Sequence, residues 1–136
     1  SVSGLPAGLQ LASIALGVVS GVPVESGTFN ALVIGWEFAD QTGDNASFLL
    51  PISVMDPPPV ILTPPASLTV DEGAAATLRV VASGPGLTYR WIKNDIELSR
   101  TVPGATNDML TFDPVKPSNA GDYKVRVSNG GGAVIS

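Results

Sequence analysis

Three segments decide how this 136-residue chain is read: ATLRVVASG (76–84), TYRWIKN (88–94) and NAGDYKVRVSN (119–129). The first is an apolar strand. The second is a strand with a Trp at its centre, and the third is a turn leading into a strand. Alternate residues of a strand share a face, so Tyr123 and Val125 point the same way. Val80, Trp91, Tyr123 and Val125 are the four positions around which this stretch is read, and they are expected to be core. The rest of the chain agrees with an all-β reading. It holds 15 Gly and 12 Pro, only 14% of it is charged, and no stretch sustains a helical apolar period. Its apolar residues (44%) fall in short runs split by Gly, Pro, Asn and Asp, as strands and turns require.

This order of segments resembles an immunoglobulin domain of the I-set type. The resemblance implies that Trp91 packs where such domains carry an inter-sheet disulfide, with Val80 and Val125 at the two cysteine positions. It also implies a tyrosine corner, in which the Tyr123 hydroxyl is tied to the turn before its strand. On this reading 60–62 and 67–70 are a split first strand, 75–82 is strand B and 87–93 strand C. Residues 96–98 are a C′ strand, 108–112 strand E, 122–128 strand F, and 133–136 the start of strand G. Asn119 stands where the family usually has Asp, and strand G stops short of the family's length.

Residues 1–54 also read as strands and turns, with 28–39 the longest strand candidate and 46–54 its return after the polar loop 40–45. GLPAGLQL (4–11), VVSGVP (18–23) and ESGTF (25–29) occur here in an order similar to the putative-Ig, cadherin-like modules of bacterial surface proteins. Members of that family carry further strands before GLPAGL. Their absence implies an uncovered core face and an unpaired edge. The prolines of MDPPP (55–59) cannot continue a sheet ladder. The expected organisation is thus a partial first module (1–55), a Pro-rich linker (56–59) and an I-set-like module (60–136): two Ig-like antiparallel β-sandwich modules in tandem, the first incomplete. Both ends read as cut from a longer repeat array.

Composition narrows the chemistry. The chain has 7 basic and 12 acidic residues, a formal charge of −5, and no run of basic residues, so phosphate neutralisation and nucleic-acid binding are not expected. It has no Cys and no His, which removes thiolate and imidazole catalysis and the usual zinc sites. No run approaches the ~20 apolar residues of a membrane helix, and no signal peptide is legible.

Five candidate sites follow. Glu37, Asp40, Asp44 and Asp56 are oxygen ligands that a calcium ion at a module end would need, or else a solvated hairpin loop. Asp71 with Glu72, and Asp95 with Glu97, are carboxylate pairs in turns, with no pocket to make them acid and base; no enzyme is expected. Trp36 offers a stacking platform for a sugar. Asn45-Ala46-Ser47 is a glycosylation sequon. The fifth is an assembly surface on the long strand, formed by Leu32, Ile34, Trp36 and Phe38. That strand is apolar on both faces, where a strand with a wet face would alternate, and large apolar patches mark interfaces.

The expectation is a non-catalytic extracellular or cell-surface structural and adhesive protein of bacterial type. Its partners would be copies of itself or neighbouring Ig-like modules, joined into fibres by strand complementation. The alternative is a carbohydrate- or ligand-binding accessory module of a larger secreted protein.

Overall fold

The computed structural model describes residues 1–13, 17–36 and 40–136. Glu37 and Phe38, from the calcium and assembly sets, lie outside them. The chain divides into two compact units, Ser1–Met55 and Asp56–Ser136.

In the first unit, β1 (Val2–Ser3), β4 (Gly27–Trp36) and β5 (Asn45–Val54) form a sheet in the order β1-β4-β5. The strands β2 (Leu9–Ser13) and β3 (Val18–Gly21) make a separate hairpin. β4 and β5 pair along their whole length, from Gly27 opposite Val54 to Trp36 opposite Asn45. The turn before β2 is closed by Leu9 N–H donating to the Pro6 carbonyl (3.1 Å), and Val24 N–H donates to the Ala7 carbonyl (3.0 Å). Gly8 is required here: its φ is 88°, and a Cβ would lie 2.0 Å from the Val22 carbonyl oxygen. The core is thin. Pro6 and Ala31 are the described residues of this unit that are fully buried.

The second unit is a two-sheet sandwich. One sheet has the order β10-β9-β12-β13, from β9 (Thr88–Lys93), β10 (Ile96–Glu97), β12 (Tyr123–Asn129) and β13 (Gly132–Ile135). The other joins β6 (Val60–Thr63) to β8 (Val81–Ser83), and β7 (Ala76–Arg79) to β11 (Met109–Phe112). β7 and β8 are one strand interrupted at Val80, whose N–H turns to the Asp108 carbonyl (2.9 Å). A 3-10 turn, Pro117–Asn119, precedes β12. β9 and β10 meet through the two-residue turn Asn94-Asp95, with φ of 48° and 64°. Asn and Asp tolerate positive φ, as a tight hairpin turn of this kind requires. All the described strands pair antiparallel, and the chain is all-β with Ig-like sheets.

The prolines expected as a linker belong to the second unit. Pro59 is buried, and the Asn129 side-chain amide donates to the carbonyls of Pro57 (2.8 Å) and Pro85 (3.2 Å). The Asp56 backbone lies so close to the β12–β13 turn that a Cβ on Gly131 would sit 2.0 Å from its carbonyl oxygen.

Candidate functional site

The second unit is built around Trp91. With Val80, Leu110, Val125 and Val127 it forms a fully buried apolar cluster. Val125 is the cross-strand partner of Trp91. The indole N–H donates to the Asn107 carbonyl at 2.9 Å, so the ring's one polar atom is satisfied. Methyl groups fill the space that a disulfide takes elsewhere, with each buried Val worth about 1.5–3 kcal/mol. Tyr123 borders this cluster. Its hydroxyl donates to the Asn119 carbonyl at 2.6 Å, and its ring tilts against Phe112 with centroids 5.7 Å apart. These residues hold the fold.

The outer face of the β10-β9-β12-β13 sheet differs. Arg90 and Arg126 stand directly opposite one another on β9 and β12. Like charges so placed repel. Glu97 on β10 answers both: one oxygen lies 2.7 Å from Arg126 Nη1 and the other 3.8 Å from Arg90 Nε. Arg100 joins them along a shallow groove of about 550 Å³, with Thr88, Thr106 and Ser128 among its lining. The Thr88 and Ser128 hydroxyls are 2.9 Å apart. Three guanidinium groups around one carboxylate leave this groove cationic. Sequence reasoning missed it because positions 90, 100 and 126 are far apart in the chain. The available signal was strand alternation: 90 and 126 share the face opposite to Trp91 and Val125.

In the first unit the apolar surface lies on β5 more than on β4. Leu32, Ile34 and Trp36 are half-buried in the central strand, whereas Phe48, Leu49 and Leu50 are 59%, 63% and 43% exposed. These three alternate, so both faces of β5 are bare. Among the described strands none pairs with its outer edge. Ser1 and Ile34 exchange backbone bonds (2.7 and 2.8 Å), so the even residues of β4 face β1 and the odd ones face β5. The register then turns the backbone of Phe48, Leu50 and Ile52 towards β4 and that of Ser47, Leu49, Pro51 and Ser53 outwards. Pro51, lacking an N–H, is tolerated in mid-strand because it sits on an edge.

Of the calcium set, Glu37 lies outside the described residues and Asp56 belongs to the second unit. Asp40 is engaged by Thr42, whose hydroxyl and N–H donate to it at 2.6 and 3.1 Å; these bonds hold its carboxyl below the ordinary value. Among the described residues no three acidic side chains converge to hold a metal. Asp95 is paired with Lys124 (2.8 Å), whose hydrogen bond and charge lower its pKa, and Glu97 serves the arginines. Trp91 is buried and Trp36 half-buried, so the described residues offer no exposed tryptophan platform. Asn45 is exposed at the start of β5.

Residues 58–129, more than half of the chain, match the family model described as Immunoglobulin domain. The chain belongs to the immunoglobulin-domain family. This immunoglobulin-domain protein is also similar to the decoration protein of Escherichia phage T5, with 38% identity over 66 residues. That match takes in 47% of the chain and 38% of the relative, so the chain spans well under half of that relative's length. Among solved structures it resembles a chimeric titin Z1Z2 carrying an exogenous KLER peptide from decorin. There the identity is 27%, the TM-score 0.51, and the coverage 61% of this chain and 91% of the other. It resembles extracellular domains 3–5 of Drosophila OTK with 20% identity and a TM-score of 0.56, covering 97% of this chain and 45% of that one. The OTK likeness speaks to the fold alone.

Proposed function

We propose that this immunoglobulin-domain protein is a non-catalytic structural and adhesive module of an extracellular or surface array, and that copies of the chain join one another through the first unit. The observation carrying this reading is β5: it exposes Phe48, Leu49 and Leu50 on both faces and is an edge strand among the described ones, in a unit whose fully buried described residues are Pro6 and Ala31. Apolar surface of this kind gains free energy when covered, at about 25 cal/mol per Å². A strand added along 45–50 would satisfy the outward backbone groups of Ser47 and Leu49 at the same time. The second unit has a filled core of its own.

A second reading is attachment to the outside of a larger particle. It is favoured by the 38% identity, over 66 residues, to a protein named for decoration. The two readings share the same surface and differ in what covers it.

Sedimentation velocity with negative-stain imaging tests the proposal. Wild-type protein should form oligomers or filaments, and Leu49→Lys should return it to monomer while the second unit unfolds at its usual temperature. A wild type that stays monomeric at every concentration would overturn self-association. If that monomer bound a preassembled particle through Leu49, the second reading would take its place.

A further inference from the structure

Charge is divided unevenly between the two units. Residues 1–55 contain no Lys or Arg and four acidic residues, Glu25, Glu37, Asp40 and Asp44. All seven basic residues lie in 56–136, and three of them, Arg90, Arg100 and Arg126, line one groove. Arg90 and Arg126 oppose each other across neighbouring strands, an arrangement that costs stability and that Glu97 offsets with a single charge. Arg100 is exposed and has no ion-pair partner among the described residues. A like-charge cluster kept at such a cost, beside hydroxyls from Thr88 and Ser128, is arranged to meet carboxylates from outside.

We infer that the groove lined by Arg90, Arg100 and Arg126 receives the acidic first unit of a second copy, through exposed Asp40 and Asp44. The inference rests on the self-association proposed above and adds its polarity. Asp40 and Asp44 lie on the segment between β4 and β5, at the end of the hairpin whose β5 edge is bare. Asp40 is held in its anionic form by the hydroxyl and N–H of Thr42, so its charge persists to acidic pH. Charge complementarity sets orientation and encounter rate more than affinity. On this account burial of β5 supplies affinity, and the arginine groove decides which end of one copy meets which end of the next. The contact uses different surfaces on the two partners, so it is heterologous and propagates unless rotation closes it.

The test is sedimentation of the full chain across salt, with charge reversal on each side. Association should weaken about tenfold or more between about 0.02 M and 0.5 M salt, because exposed charges are screened over that range. Arg100→Glu, and separately Asp40→Lys with Asp44→Lys, should each weaken association at low salt about tenfold or more while leaving the circular dichroism unchanged. An equimolar mixture of the two variants should associate again, since each then offers the other a complementary face. If the wild type associates but neither salt nor Arg100→Glu alters it, this inference fails and self-association through β5 stands. If the wild type does not associate at all, both fail.

Discussion

The Tyr123 hydroxyl donates to the Asn119 carbonyl at 2.6 Å, closing the turn that launches β12. The same Asn119 accepts the Lys116 N–H on its side-chain oxygen at 2.8 Å, and the Lys93 ammonium stands over the Tyr123 ring while donating to the Ser118 carbonyl. One phenol therefore links the 3-10 turn, β12 and β9. Tyr123→Phe keeps the ring against Phe112 and removes only the bond. The expected loss is about 1 kcal/mol, a fall of roughly 4–8 °C in the melting temperature of a domain this size. A melting curve within error of wild type would show that the bond contributes nothing.

The same residue gives a pH dependence. Burial raises the Tyr123 phenol above its ordinary value of 10.0. Between the unfolded and folded pKa values the native state holds a proton that the unfolded chain has released, so stability falls as pH rises. Full stability is expected below about pH 10, with a decline above it as the donor to Asn119 is lost. Tyr123→Phe should show a shallower alkaline decline, and urea unfolding at stepped pH reads the difference.

The core makes a sharper prediction. Trp91 is fully buried against Val80 and Val125, with its N–H bonded to the Asn107 carbonyl. Trp91→Ala removes the largest buried side chain and leaves that carbonyl without its donor, at a cost of about 3–5 kcal/mol. That is a large share of a small domain's total stability, so the second unit should be largely unfolded near room temperature. Val125→Ala should cost about 2 kcal/mol and leave it folded. Far-UV circular dichroism against denaturant distinguishes the two cases.

How much could be read in the sequence follows from which interactions are local. The apolar runs split by Gly, Pro, Asn and Asp and the strand around Trp91 are short-range signals, and they were enough for an all-β, Ig-like architecture. The arginine groove was invisible along the chain, because Arg90, Arg100 and Arg126 come together only when β9 and β12 pair. The exposed apolar surface was legible as an excess of apolar residues in both long strands. Its place was not, because β1 covers one edge of β4 and leaves the outer edge of β5 open. The prolines at 57–59 looked like a spacer for a similar reason: the Asn129 amide that ties them down is supplied by a distant strand.

Calcium should have little effect on this chain. Thr42 engages one oxygen of Asp40, and no three acidic groups converge among the described residues. A ligand that binds only the native state raises stability in proportion to the logarithm of its excess over Kd, about 2.7 kcal/mol at a hundredfold excess. Calorimetry with about 1 mM calcium, a hundredfold excess for a Kd of about 10 µM, should therefore give the same melting temperatures as with chelator. A rise of several degrees in the first unit would reveal a site completed by Glu37.

Pro51 makes the last prediction, because it governs how far a partner strand can run. Its nitrogen points to the open side of β5, between the outward backbone groups of Leu49 and Ser53. A strand added to this edge can bond along 45–50 and must then break, because position 51 has no donor. Proline on an edge is a common guard against uncontrolled pairing. Pro51→Thr restores the donor, keeps a residue suited to strands and leaves the bonds to β4 intact, since those come from the even positions of β5. Association should strengthen and lengthen, with larger species in sedimentation and a stronger response to an amyloid dye. Leu49→Lys in the same background should suppress both, by placing a charge on the edge. If Pro51→Thr sediments as wild type does, copies meet through the faces of β5 and not through its edge.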